Sequence, residues 1–169
     1  MESHSGGLFH ASTSILDQLD HSQQHFLDAL GIPLAQAFID QNFAPPTLRR
    51  NIAILGLIQK RVIGKAHPSY DKLLPWLRER TGSQVAGRHS KQLYGHCYEI
   101  VAQWRLWERS IFAMTDVYNS LSQGAVDCES VASFQSYLTS IARERCEAGN
   151  AKWMYTFDLR ARHSATAAP

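Results

Sequence analysis

Between the Pro45-Pro46 pair and Gly64 runs one apolar stripe around which any fold of this chain has to be built. Leu48, Ile52, Leu55, Ile58 and Val62 recur at three- and four-residue intervals, widened by Ile54 and Leu57. Arg49, Arg50, Gln59, Lys60 and Arg61 fall mainly on the flanks and ends. This is the period of an amphipathic helix, predicted over residues 48–63. The prolines force an extended entry, Thr47 stands where an N-cap belongs, and Gly64 closes the helix. A helix of this length is marginal alone and draws its stability from packing its apolar face. The rest of the chain must therefore supply partners for it.

Several segments qualify. Ser14, three residues before Asp17, reads as the start of a helix over 14–30, on which Ile15, Leu19, Phe26 and Leu30 share a face while Gln18, Gln23, Gln24 and Asp28 point elsewhere. Gly31 ends it, and Pro33 opens a short helix through Leu34, Ala37 and Phe38 that stops near Asn42. Pro68 starts another, through Tyr70, Leu73 and Leu74, which Pro75 ends or kinks. Residues 81–96 hold three glycines and no sustained apolar period, and read as a linker. Residues 97–109, with Tyr98, Ile100, Val101, Trp104 and Trp107, fit either a helix or a strand. From Ser110 a helix carries Ile111, Phe112, Met114, Val117, Tyr118 and Leu121 until Gly124 breaks it. Asp127 is placed to cap a last long helix with Val131, Phe134, Leu138 and Ile141 in register, ending near Gly149; Trp153, Met154 and Phe157 form a final apolar turn.

The expected fold is all-α, with about five or six helices in one compact or two-lobed bundle. Leu55, Ile58, Phe112, Phe134 and Leu138 are its expected core. The expected division is a flexible start (1–11), a helical unit (12–80), the linker (81–96), a second helical unit (97–158) and a disordered tail (159–169).

Composition narrows the class. A hydrophobic share of 44% and a charged share of 19% are those of a folded globular chain, long enough at 169 residues to build a core without metals or disulfides. No run approaches the roughly 18 apolar residues of a membrane span, and the polar start is no secretory signal. Three dispersed cysteines, Cys97, Cys128 and Cys146, suit reduced thiols and an intracellular setting. The net charge of +2 conceals an asymmetry: residues 1–40 carry −5, residues 41–98 carry +8 and residues 99–169 carry −1. A basic middle suits a polyanion, and equally suits packing beside an acidic first helix.

Catalytic signatures are lacking. His21 and His25 lie four apart, as two zinc ligands on a helix can, but Ser-Gln-Gln between them omits the glutamate base of a metalloprotease. His89, His96 and Cys97 match no finger spacing. The chain has no phosphate-binding glycine loop and no nucleophile elbow, and Asp71 and Glu79 form no evident acid–base pair. No cofactor is expected. The best chemical candidate is nucleic-acid binding: Arg49, Arg50, Lys60, Arg61, Lys65, Arg88 and Lys91 supply cations for phosphates, and Tyr94, Tyr98, Trp104 and Trp107 offer faces for stacking. The alternative is that the aromatics are core and the cations a solvated rim.

Two ordered blocks carry a resemblance. The first comprises Leu8-Phe9-His10-Ala11-Ser12, Leu16-Asp17-Gln18-Leu19-Asp20, Gln23-Gln24-His25-Phe26-Leu27, Asn42-Phe43-Ala44-Pro45-Pro46 and Arg49-Arg50-Asn51-Ile52-Ala53-Ile54-Leu55-Gly56-Leu57-Ile58. The second comprises Arg109-Ser110-Ile111-Phe112, Val117-Tyr118-Asn119-Ser120-Leu121 and Ser130-Val131-Ala132-Ser133-Phe134-Gln135-Ser136-Tyr137-Leu138. With Arg88-His89-Ser90 between them, residues 8–157 resemble the region that follows the polymerase domain in non-LTR (LINE-type) retrotransposon proteins. Tyr118 stands where that family has Trp, and Ser122 where it has Pro.

The resemblance implies a post-thumb region, with a separate polymerase domain as a partner and template or target RNA or DNA as a ligand. It does not imply catalysis. Reverse transcription needs carboxylates that hold two metal ions, and the family's aromatic-x-Asp-Asp signature is absent, as is an endonuclease constellation. The expectation is a non-enzymatic fragment that touches nucleic acid through its basic middle. The alternative is a protein-interaction or orphan fragment with no activity of its own.

Overall fold

A computed structural model describes residues 11–76, 89–94 and 110–158. The segments expected to be a flexible start (1–10), most of the linker (81–88 and 95–96), the ambiguous stretch 97–109 and the tail 159–169 lie outside the described residues. Among those described, the fold is all-α: seven α-helices, one 3-10 turn and no strand beyond a single antiparallel bridge between Trp76 and Leu93. The helices are α1 (Thr13–Ala29), α2 (Leu34–Gln41), α3 (Pro46–Val62), α4 (Tyr70–Leu73), α5 (Met114–Asn119), α6 (Gln123–Val126) and α7 (Val131–Glu147), followed by the turn Trp153–Tyr155. Two of them, α4 and α6, are single turns; α4 is the short helix expected after Pro68, and α6 is one that the spacing did not mark, in keeping with about five or six helices.

Local chemistry sets the ends. Ser12, not Ser14, caps α1, its hydroxyl accepting from the Ile15 amide at 3.3 Å. Helix α3 starts two residues earlier than expected, with Pro46 at the first helical position, where its missing N–H is no loss. Thr47 is therefore not the cap. Its own N–H is taken at 3.0 Å by the Asp20 carboxylate reaching over from α1. At the other end Gly64 turns left-handed (φ 71°), and the Lys65 amide bonds back to the Lys60 carbonyl at 2.9 Å. Helix α7 is capped by Ser130, which exchanges hydrogen bonds with Ser133, and not by Asp127. The helix expected from Ser110 begins only at Met114. Gly124 does not break a helix there but lies inside α6.

The chain divides into two compact units, and the division falls inside α3 and α7. One unit comprises residues up to Ile52 together with those from Leu138 onward; the other comprises Ala53–Tyr137. In the first, α1, α2, the start of α3 and the end of α7 bury Leu16, Leu27, Phe38, Leu48, Leu138 and Trp153. Phe38 is fully buried and stacks on Trp153, ring centroids 4.8 Å apart and planes 4° from parallel. The Arg143 guanidinium lies 5.8 Å from the Phe38 centroid and donates to Asn42 Oδ1 at 3.2 Å.

The face of α1 that packs inward is not the one the apolar spacing suggests. Leu16, Asp20, Gln23 and Leu27 face the core, whereas Ile15, Leu19, Phe26 and Leu30 are exposed. Each polar member of the inward row has a task. Asp20 caps α3, and Gln23 Nε2 donates to the Phe43 carbonyl at 3.2 Å.

In the second unit, α3 buries Ile54, Leu55 and Ile58 with Leu74, Leu93, Val117, Tyr118 and Phe134. Phe112, expected in the core, is only half-buried. Gly56 sits beneath the side chain of Gln135 on α7, which occupies the space a β-carbon would need.

Candidate functional site

Two of the seven predicted nucleic-acid-binding cations are buried. Arg50 is buried, its Nη1 donating to Asn51 Oδ1 at 3.0 Å. Arg61 is buried too, with Nε 2.9 Å from Asp71 Oδ1 and its guanidinium 4.8 Å from the Trp76 ring centroid. These two arginines are packing and pairing groups, unavailable to a phosphate without breaking up the second unit's surface or the first unit's core. Lys91 is half-buried, its ammonium donating to the Val126 carbonyl at 2.8 Å and pairing with Asp127 at 3.2 Å. Arg88 lies outside the described residues.

That leaves Arg49, Lys60 and Lys65 exposed. Arg49 belongs to the first unit, over the half-exposed Phe43 ring at 5.9 Å. Lys60 and Lys65 belong to the second and are brought together by the backbone bond that closes α3. Among the described residues no carboxylate pairs with either lysine. Of the aromatics offered for stacking, Tyr94 is exposed and Tyr98, Trp104 and Trp107 lie outside the described residues.

A tighter polar constellation lies inside the second unit, built on a residue that reads as a flank in the sequence. Gln59 is fully buried. Its Nε2 donates to the carbonyls of Val126 (3.1 Å) and Cys128 (2.9 Å), and its Oε1 accepts from the Tyr118 hydroxyl at 2.7 Å. Burial pushes the Tyr118 phenol far above its ordinary range, so it stays a donor. A signal existed: Gln59 follows Leu55 by four residues and so lies on the apolar stripe itself. Tyr118→Phe should leave Gln59 Oε1 without a donor and lower stability by about 1–2 kcal/mol, read from chemical denaturation. No change would show that this bond contributes nothing.

His89 completes the constellation. Its Nε2–H donates to the Tyr118 carbonyl at 3.0 Å, and its Nδ1 accepts the Lys91 amide at 3.1 Å. Both ring nitrogens are committed, which fixes the tautomer and leaves neither for a metal. Around it Ser90 N donates to Gln123 Oε1 at 2.9 Å, and Leu93 and Asn119 exchange two bonds: Leu93 N to Asn119 Oδ1 (2.9 Å) and Asn119 Nδ2 to the Leu93 carbonyl (2.8 Å). The part of the expected linker that is described, 89–94, is thus a pinned segment.

Burial lowers the His89 pKa below its ordinary value, against the opposing bond to Tyr118. The unfolded chain therefore takes up a proton that the folded one resists. The stability contributed by neutral His89 is complete above the unfolded pKa, about 6.5, and is lost as pH falls from there through the folded value. Thermal melting from pH 7.5 to pH 5 should show a slope of up to about 1.4 kcal/mol per pH unit, which His89→Gln should flatten. Parallel slopes for the two proteins would refute this.

Other reactive groups among the described residues do not converge. Among the described residues no three His, Cys, Asp or Glu side chains are placed to share a metal ion. His21 and His25 are both exposed on α1. Burial, with Glu147 alongside, pushes the Cys146 thiol up, away from the thiolate a nucleophile needs. The Asp127 carboxyl is held below its ordinary range by a hydrogen bond from Gln123 and by Lys91, as suits a paired anion. No helix among the described residues is long and apolar enough to cross a membrane. Comparison with protein-family models, curated proteins and solved structures finds no match.

Proposed function

We propose that this chain is a non-catalytic helical module, resembling the region after the polymerase domain of LINE-type retrotransposon proteins, that touches RNA or DNA through exposed cations. One observation carries this reading: Lys60 and Lys65, joined by the backbone bond that closes α3, are both exposed within a segment of net charge +8. Arg49 supports it as a separate contact in the first unit. Lysines at a helix C-terminus also interact favourably with its dipole, worth about 0.3–1 kcal/mol, so a loss of binding must be separated from a loss of folding.

The buried state of Arg50 and Arg61 decides which variant is informative. Reversing them would unfold the chain and mimic a binding defect, whereas Arg49, Lys60 and Lys65 can be changed on a standing fold. Binding of the full chain to a single-stranded RNA and to a DNA duplex is to be measured over a range of salt. Lys60→Glu with Lys65→Glu should weaken both at least tenfold and reduce the slope of log affinity against log salt by about 2, with the melting midpoint recorded beside it. Equal binding by the parent and the reversed protein ends the proposal.

A further inference from the structure

The exposed row on α1 is an apolar face that the described fold leaves open. Ile15 is 48% exposed, Leu19 36%, Phe26 57% and Leu30 56%. At about 100° per residue these four fall within one narrow sector, continued by Ser22 and Ala29, whereas Asp17 and Asp28 lie on the far side of the helix. The face is therefore apolar and uncharged.

We infer that this face is the two-fold contact of a weak homodimer, in which α1 packs antiparallel against α1 of a second copy. The spacing is self-complementary. About a centre between Ser22 and Gln23, Ile15 exchanges with Leu30 and Leu19 with Phe26, the reciprocity that an isologous interface requires. Ile15, Leu19, Ser22, Phe26 and Ala29 also follow the alternating four- and three-residue intervals of a helix–helix seam. The small residues fall where a large one needs room: Ser22, near the axis, faces the space into which Phe26 of the second copy projects. Ser22 can be covered there without loss, because its hydroxyl already donates to the Gln18 carbonyl at 2.8 Å.

Area sets the strength. From their exposures, the four large side chains offer on the order of 400 Å² of apolar surface per copy. This is about half of the roughly 800 Å² per partner of a standard stable interface, so monomer and dimer exchange instead of forming an obligate pair.

The test is sedimentation equilibrium of the full chain from about 10 µM to about 1 mM, a range that spans weak association. The parent should pass from monomer to dimer. Phe26→Glu, at an exposed position, should keep its melting midpoint and associate at least tenfold more weakly. Under mild oxidation Ser22→Cys should give a disulfide-linked dimer, because the axis brings its two α-carbons within bridging distance, and Asp17→Cys on the far face should not. A parent that stays monomeric throughout, a dimer indifferent to Phe26→Glu, or equal cross-linking at positions 17 and 22 each overturns the inference. The first of these would leave the face to a different protein.

Discussion

Phe38→Ala should destabilise the protein by about 3–5 kcal/mol, the cost of emptying a fully enclosed aromatic site. The ring has no exposed surface, stacks on the Trp153 indole and carries the Arg143 guanidinium nearby. Its loss therefore removes burial, a stacked pair and a cation–aromatic contact together. In a chain of this length the melting midpoint should fall by about 10 °C or more, and Trp153 fluorescence should shift as its stacking partner goes. Phe38→Leu, which keeps most of the volume, should cost appreciably less. A midpoint within about 3 °C of the parent for Phe38→Ala would place this ring outside a packed core.

Leu55→Ala is the matching expectation for the second unit. Leu55 has no exposed surface, and its truncation should cost about 2–5 kcal/mol, the upper part of that range applying if the surrounding side chains cannot close the cavity. Leu57→Ala is the internal control, since Leu57 is only half-buried and should cost less. Denaturant unfolding of the two variants would decide it. Equal midpoints for both would mean that the stripe on α3 has been assigned to the wrong side.

These two positions show what the sequence allowed to be read. The α3 stripe was legible because its signals agreed: prolines before it, Gly64 after it, and large aliphatics at Leu48, Ile52, Ile54, Leu55 and Ile58. Gln59, fully buried beside them, was read as a flank because it is polar. Only the carbonyls of Val126 and Cys128 and the hydroxyl of Tyr118, all remote in sequence, explain why an amide is buried there. Helix α1 misled for the opposite reason. Its more apolar row faces outward, and its inward row carries Asp20 and Gln23, whose partners on Thr47 and Phe43 lie more than a turn of helix away along the chain.

Two of the proposed binding residues were misjudged as exposed on the same ground. Arg50 and Arg61 count as cations in any linear reading, yet one donates to its neighbour Asn51 and the other pairs with Asp71 and lies over the Trp76 ring. Charge is visible in a sequence; whether it is already spent on a neighbour is not. Helix ends were read best where a backbone conformation was at stake, as at Gly31 and Gly64, both left-handed. They were read worst where several serines or threonines competed, as at Ser12 against Ser14.

The paired bonds between Leu93 and Asn119 make one nitrogen atom decisive. An asparagine side chain meets a backbone donor and a backbone acceptor at once, as a neighbouring strand would, because one end of its amide gives and the other receives. Replacing that amide with a carboxylate keeps the shape and puts at the giving end an oxygen that repels the Leu93 carbonyl. Asn119→Asp should accordingly speed amide hydrogen exchange at Leu93 while leaving the rings around Phe38 untouched. A change of this one half-buried amide would thus loosen the segment from residue 89 to residue 94.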